Sequence, residues 1–171
     1  MHVLIQKGVK GEASGGSVRA GAEEERRDRG EKEMTVVIST ADLDFATSPL
    51  DRALAGKVLG MTVNVIFEGS GVKLLQSGYR ATKSGFLGGL RTLSVETKLE
   101  NEGAPLPKES IEMLAEMGAS FFVDGPSMER YGVRMEELLV EHSVAGSTVA
   151  WVNLLAESDV NVFSRAKLEL A

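Results

Sequence analysis

Residues 107–128, PKESIEMLAEMGASFFVDGPSM, pass from helix to strand to helix within one short stretch. Pro107 suits the first helical position, Ile111, Leu114 and Ala115 recur at helical spacing, and Gly118 ends the pattern. Ala119 to Val123, ASFFV, is an unbroken apolar run too short for a helix, the mark of a strand covered on both faces. Gly125-Pro126 makes a turn, and Ser127 is placed to cap a short helix reaching Gly132. A buried strand between helices is the repeating unit of a parallel sheet, because parallel neighbours need a crossover connection.

The same alternation extends in both directions. Upstream, Thr35 to Ser39 is a β-branched apolar strand, and Ser48-Pro49 predicts a helix start carrying Leu50, Leu54 and Val58 up to Gly60. Thr62 to Phe67, TVNVIF, is a second strand, followed by the turn Glu68-Gly-Ser-Gly71 and a short helix with Val72, Leu74 and Leu75. Residues 79–104 show no clear period, have Gly85, Gly88 and Gly89 in their middle, and read as a long loop. Downstream, Met135 to Glu141 offers a helical turn or two, and Ser143 to Ala145 a very short strand. Ser147 or Thr148 caps a helix to Glu157 with Val149, Val152, Leu155 and Ala156 on its apolar side, and Asp159 to Ser164 is the last strand. The expected fold is α/β: a three-layer sandwich of four to five mainly parallel strands with helices on both faces.

Ahead of this domain, residues 1–33 read differently. Gly8 to Gly21 is rich in Gly, Ser and Ala, and Glu23 to Glu33 is the charge run EEERRDRGEKE. Such composition buries too little apolar area to offset its ordering entropy, so residues 1–33 are expected to be a flexible extension and 34–171 the domain.

Composition removes several function classes. The chain has 171 residues, no cysteine and a formal net charge of -6. Without a thiol it has no disulfide, no thiolate metal site and no sulfur nucleophile. Its scattered basic residues give no surface for nucleic acid. No apolar run approaches a membrane span and no signal peptide is apparent, so a cytoplasmic location is expected. No metal-ligand spacing such as H-x-x-x-H occurs, and no cofactor or metal is expected.

In a parallel sheet of this kind, ligands bind outside the carboxyl ends of the strands. The residues expected there are Ser39, Thr40, Glu68, Gly69, Asp124, Gly125, Ser127 and Met128, with Asp42 and Gly146 close by. Asp124 is the candidate catalytic residue, since it ends a buried strand where the next helix turns its amides toward the corner. The plainer reading is that Asp124 holds those amides itself in an Asx turn. Gly69-Ser-Gly71 lacks both nucleotide-loop spacings and reads as a tight turn. Glu68, turned inward beside Asp124, would give two carboxylates capable of acid and base roles. His142 lies near Ser143 and Ser147 without a nucleophile elbow, and reads as a surface or capping residue. Trp151, on the apolar side of the last helix, reads as core or subunit interface.

From Val36 to Ser164 the chain resembles the DsrE/DsrF-like family, small α/β proteins related to the sulfur-relay subunits TusD and DsrE. The matching pieces are VVIST, ALAGKVLGMTVNVIFEGSGVKLL, PKESIEMLAEMGASFFVDGPSMERYGV and SVAGSTVAWVNLLAESDVNVF, in that order. The most specific is the strand followed by G-P-S-M-x-x-x-G-V, before which family members typically carry a cysteine, the persulfide carrier of relay subunits. The resemblance places Asp124 at that position. It implies trimers or hexamers, and a cysteine-bearing paralogue is an alternative partner. A carboxylate forms no persulfide, so the resemblance does not bring the chemistry with it. The expected role is a non-catalytic small-ligand-binding or assembly subunit. The alternative is an enzyme using Asp124 with Glu68 or His142 for acid–base or metal-assisted chemistry.

Overall fold

The computed structural model describes residues 30–79, 81 and 88–164. Contacts divide the chain into two units between Glu31 and Lys32, and the fold is that of the second. The expectation of a flexible extension over 1–33 falls almost wholly outside the described residues.

The elements in chain order are strand β1 (Glu33–Ile38), helix α1 (Leu43–Val58), strand β2 (Thr62–Phe67) and a 3-10 helix (Gly69–Leu75). Helices α2 (Gly88–Glu102) and α3 (Pro107–Glu116) follow, then strand β3 (Ser120–Asp124) and the short helix α4 (Gly125–Tyr131). A 3-10 turn (Met135–Glu137), strand β4 (Val144–Gly146), helix α5 (Thr148–Glu157) and strand β5 (Val160–Phe163) complete it. All five strands are parallel, in the order β4-β3-β2-β1-β5. The sheet is sandwiched between helices, as the alternating pattern predicts.

The two faces of the sheet are covered unequally. On one, Val36, Ile38, Val65, Phe67, Phe121 and Val123 pack against Leu50 and Ala53 of α1 and Ile111 and Leu114 of α3. On the other, among the described residues, α5 alone contributes to the buried cluster, setting Trp151 and Leu154 on Val37, Ile66 and Phe122. Pairing aligns Phe163, Val37, Ile66, Phe122 and Val144 in one row across all five strands. The middle three are buried, whereas Phe163 is 56% and Val144 54% exposed at the two edges. A ten-residue helix is too narrow to cover a five-strand row.

Three elements depart from the sequence reading. Helix α1 starts at Leu43, not at Ser48: Asp42 is its N-cap, accepting the Asp44 N–H at 3.0 Å, and Pro49 lies inside the helix. Helix α2 occupies much of the stretch read as loop. In α5 the inward face is Trp151 and Leu154, while Val149 and Val152 point to solvent. Trp151 is therefore core within its own chain. Its ring fills the space a side chain at position 146 would need, since a Cβ on Gly146 would lie 2.4 Å from it.

Candidate functional site

The carboxyl ends of β1, β2 and β3 carry a connected set of polar groups. At the end of β3, Asp124 is the N-cap of α4; its Oδ2 accepts the Ser127 N–H at 3.0 Å and the Ser127 hydroxyl at 2.5 Å. The Ser127 hydroxyl also accepts the Gly69 N–H, at 2.8 Å. Asp124 and Ser127 are each 8% exposed. One carboxylate thus ties β3 to α4, and through Ser127 to the turn after β2. Sequence reading offered Ser127 as the cap and, as the plainer reading, Asp124 holding the amides of the turn; Asp124 is the cap and accepts the Ser127 N–H, with Ser127 three residues inside.

At the end of β1, the Ser39 hydroxyl donates to Glu68 Oε1 at 2.7 Å, and the Ser39 N–H donates to the Ser164 hydroxyl at 2.8 Å. Thr40 Oγ1 accepts the Asp42 N–H at 3.1 Å, and Ser70 Oγ accepts the Ala41 N–H at 3.2 Å. Ser70 lies within the turn read from sequence but was given no role there, and Ser164 was read only as the end of the last strand; their signal is position, one in the turn after β2 and one directly after β5. The Glu68-Gly-Ser-Gly71 turn packs directly on the end of β1. Gly69 has φ +52°, and a Cβ on Gly71 would fall 2.1 Å from the Ile38 carbonyl oxygen. The glycines serve close backbone approach, as the tight-turn reading predicts.

The candidate residues separate on this geometry. Ser39 and Glu68 form one pair, and Asp124, Ser127 and the Gly69 amide form a separate set of three. Gly125 begins α4 and is half-buried, while Met128 lies in the main core cluster. His142 is exposed in the turn before β4, two residues ahead of Val144, which pairs with Phe122. At about 3.3 Å per residue it lies toward the opposite end of the sheet from Asp124. The structure therefore does not join His142 to the carboxylates. Among the described residues no cluster of His, Asp and Glu could hold a metal ion. No helix there is long and apolar enough to cross a membrane.

A five-stranded parallel sheet between helices, with a thiol-free polar corner at the carboxyl ends, defines a small α/β protein. The chain belongs to the DsrE/DsrF-like family, whose profile matches residues 32–163. Among solved structures it is similar to the ychN protein from E. coli, at 12% identity and TM-score 0.54, over 78% of this chain and 98% of that one. A conserved protein of unknown function from Bacteroides thetaiotaomicron aligns at 12% identity and TM-score 0.48, over 77% of this chain and 94% of its own. At such identities the likeness concerns the fold alone. Comparison with curated proteins finds no match.

Proposed function

We propose that this protein is a DsrE/DsrF-like subunit that takes no part in sulfur transfer itself and works as a non-catalytic assembly or small-ligand-binding partner. The observation that carries this reading is the state of Asp124. The carboxylate stands where the resemblance puts the carrier cysteine, and its inner oxygen is engaged by the Ser127 N–H and hydroxyl. A carboxylate held in that way is a structural cap; it offers no sulfur-accepting atom. The assembly part draws support from the sheet face under α5, where Phe163 and Val144 continue a buried row into solvent. Homo-oligomerisation as a trimer or hexamer would cover those edges. At this corner the Ser127 amide already bonds Asp124, so a small ligand there would meet the rim around the Asp124 cap and not that amide. Native mass spectrometry of the protein purified from its own host tests the reading. The expected species has three or six copies of the 18.3 kDa chain. A monomer over a wide concentration range would refute the homo-oligomer, and a co-purifying cysteine-bearing paralogue would replace it as the partner.

A further inference from the structure

Away from the sheet face under α5, four large apolar side chains stay exposed at one place. Val58, in the last turn of α1, is 77% exposed and Leu59 after it 78%, while Met113 and Met117 at the end of α3 are 44% and 38% exposed. Helices α1 and α3 pack side by side, and the Lys57 ammonium donates to the Gly118 carbonyl at 3.4 Å, which ties their C-terminal ends together. The four side chains therefore gather at the joined ends of two helices, by the amino ends of β2 and β3. Exposed apolar groups that cluster within a polar rim mark an interaction surface, and unbranched methionines adapt readily to whatever faces them.

The charges around this patch select its partner. From residue 52 to its C-cap, α1 carries Arg52 and Lys57 and no acid; from residue 111 to its C-cap, α3 carries Glu112 and Glu116 and no base. Charges of the other sign, Asp51 and Lys108, stand at the far border, and Lys108 approaches Glu112 only to 3.9 Å. The rim is thus basic along one helix and acidic along the other. A nucleic acid or an anionic membrane would meet Glu112 and Glu116, and a wholly basic partner would meet Arg52 and Lys57. A second copy meets neither conflict. A two-fold axis running along the helices lays α1 of each copy on α3 of the other, so Arg52 and Lys57 face Glu112 and Glu116 on both sides of the joined apolar groups.

We infer that the joined ends of α1 and α3 are a two-fold contact between copies of this chain, with α1 of one set on α3 of the other. The surface is separate from the sheet face under α5, so the inference does not rest on the assembly proposed there. Where both contacts form, this one doubles a trimer into a hexamer.

The test uses two full-length variants. Arg52→Glu with Lys57→Glu makes both helix ends acidic, and Glu112→Lys with Glu116→Lys makes both basic. In light scattering at equal concentration each should show half the wild-type mass, because like charges then face each other across the axis. Mixed in equal amounts, the two should return to the wild-type mass, since only the mixed pair sets opposite signs against each other on both sides. Pairing within one chain cannot give that result, as neither variant holds both signs along the rim. A variant that keeps the wild-type mass, a mixture that stays at half, or a wild type of one or three chains would each overturn the inference. Should a charge variant fold poorly, Leu59→Glu, at a position 78% exposed, should halve the mass by itself, and an unchanged mass there would overturn the inference too.

Discussion

At the scale of single residues, Asp124 makes the clearest claim. Removing its carboxylate strips the Ser127 N–H and hydroxyl of their acceptor in a buried corner. Asp124→Ala should therefore cost about 1 to 2 kcal/mol in urea unfolding, the usual loss of a helix cap. Ser127→Ala should cost a similar amount, since it leaves the Gly69 N–H without its partner. Gly71 makes a steric claim instead. With Ile38 O 2.1 Å from any Cβ, Gly71→Ala should lose about 3 kcal/mol or more, because the neighbour is backbone and cannot turn aside. Gly78, with nothing within 4 Å of its would-be Cβ, is the control and should tolerate alanine. Asp51 gives a pH dependence with a definite sign. It lies on the solvent side of α1, yet burial by the surrounding protein raises its pKa above 3.8. The folded state therefore resists its ionisation more than the unfolded state does, a penalty present above the raised pKa and absent below about 3.8. Asp51→Asn should melt higher than wild type at neutral pH, and the two should converge as the pH falls through that window.

At the scale of elements, what the sequence discloses depends on whether buried positions are apolar and exposed ones polar. Where that holds, as in β2, β3 and α3, the elements read correctly to within a residue or so. Helix α2 breaks the rule from one side: among its described residues the buried positions are Thr92 and Glu96, a polar i, i+4 pair, with Leu99 partly buried against the core one turn on, so its described inward face begins polar. Helix α5 breaks it from the other side, since Val149 and Val152 are as apolar as the buried Trp151 and Leu154, and periodicity cannot choose between them. Ser48-Pro49 looked like a start because Pro suits a first turn, but Asp42 caps the helix one and a half turns earlier and Pro49 is carried inside. The strand-end site was legible as a place, through the rule for parallel sheets, but not as a network. Which of Asp124 and Ser127 caps α4 depends on a hydrogen bond that spacing alone does not reveal. Within α3, Ser110 is fully buried and its hydroxyl has no partner among the described residues. Ser110→Ala should be neutral or stabilising by up to about 1 kcal/mol in thermal unfolding, because it removes an unpaired buried hydroxyl and improves helix propensity.

At the scale of the whole molecule, one face of the sheet packs its central strands under α1 and α3, and on the other the described residues leave Phe163 and Val144 exposed at the two edges. Val144→Glu with Phe163→Glu should leave the fold intact, since both side chains are more than half exposed, and should reduce the mass seen in light scattering. An unchanged mass would show that this face is not the subunit contact. The fold as a whole also decides whether the corner at β3 is still a carrier site in everything but its sulfur. If it is, Asp124→Cys sets a thiol at the α4 N-cap, where the Ser127 N–H that now bonds the carboxylate would favour its thiolate. That thiolate would attack the outer sulfur of a donor persulfide; the donor's S–S bond breaks and the donor leaves as its thiol. The decisive measurement is the intact mass of wild type and Asp124→Cys after exposure to such a donor. The account predicts no change in the wild type and one added sulfur per chain in the variant, about 32 Da, removed by a reducing thiol. A variant that folds, alkylates no faster than free cysteine and takes up no sulfur would contradict it, and so would sulfur bound stably to the wild type.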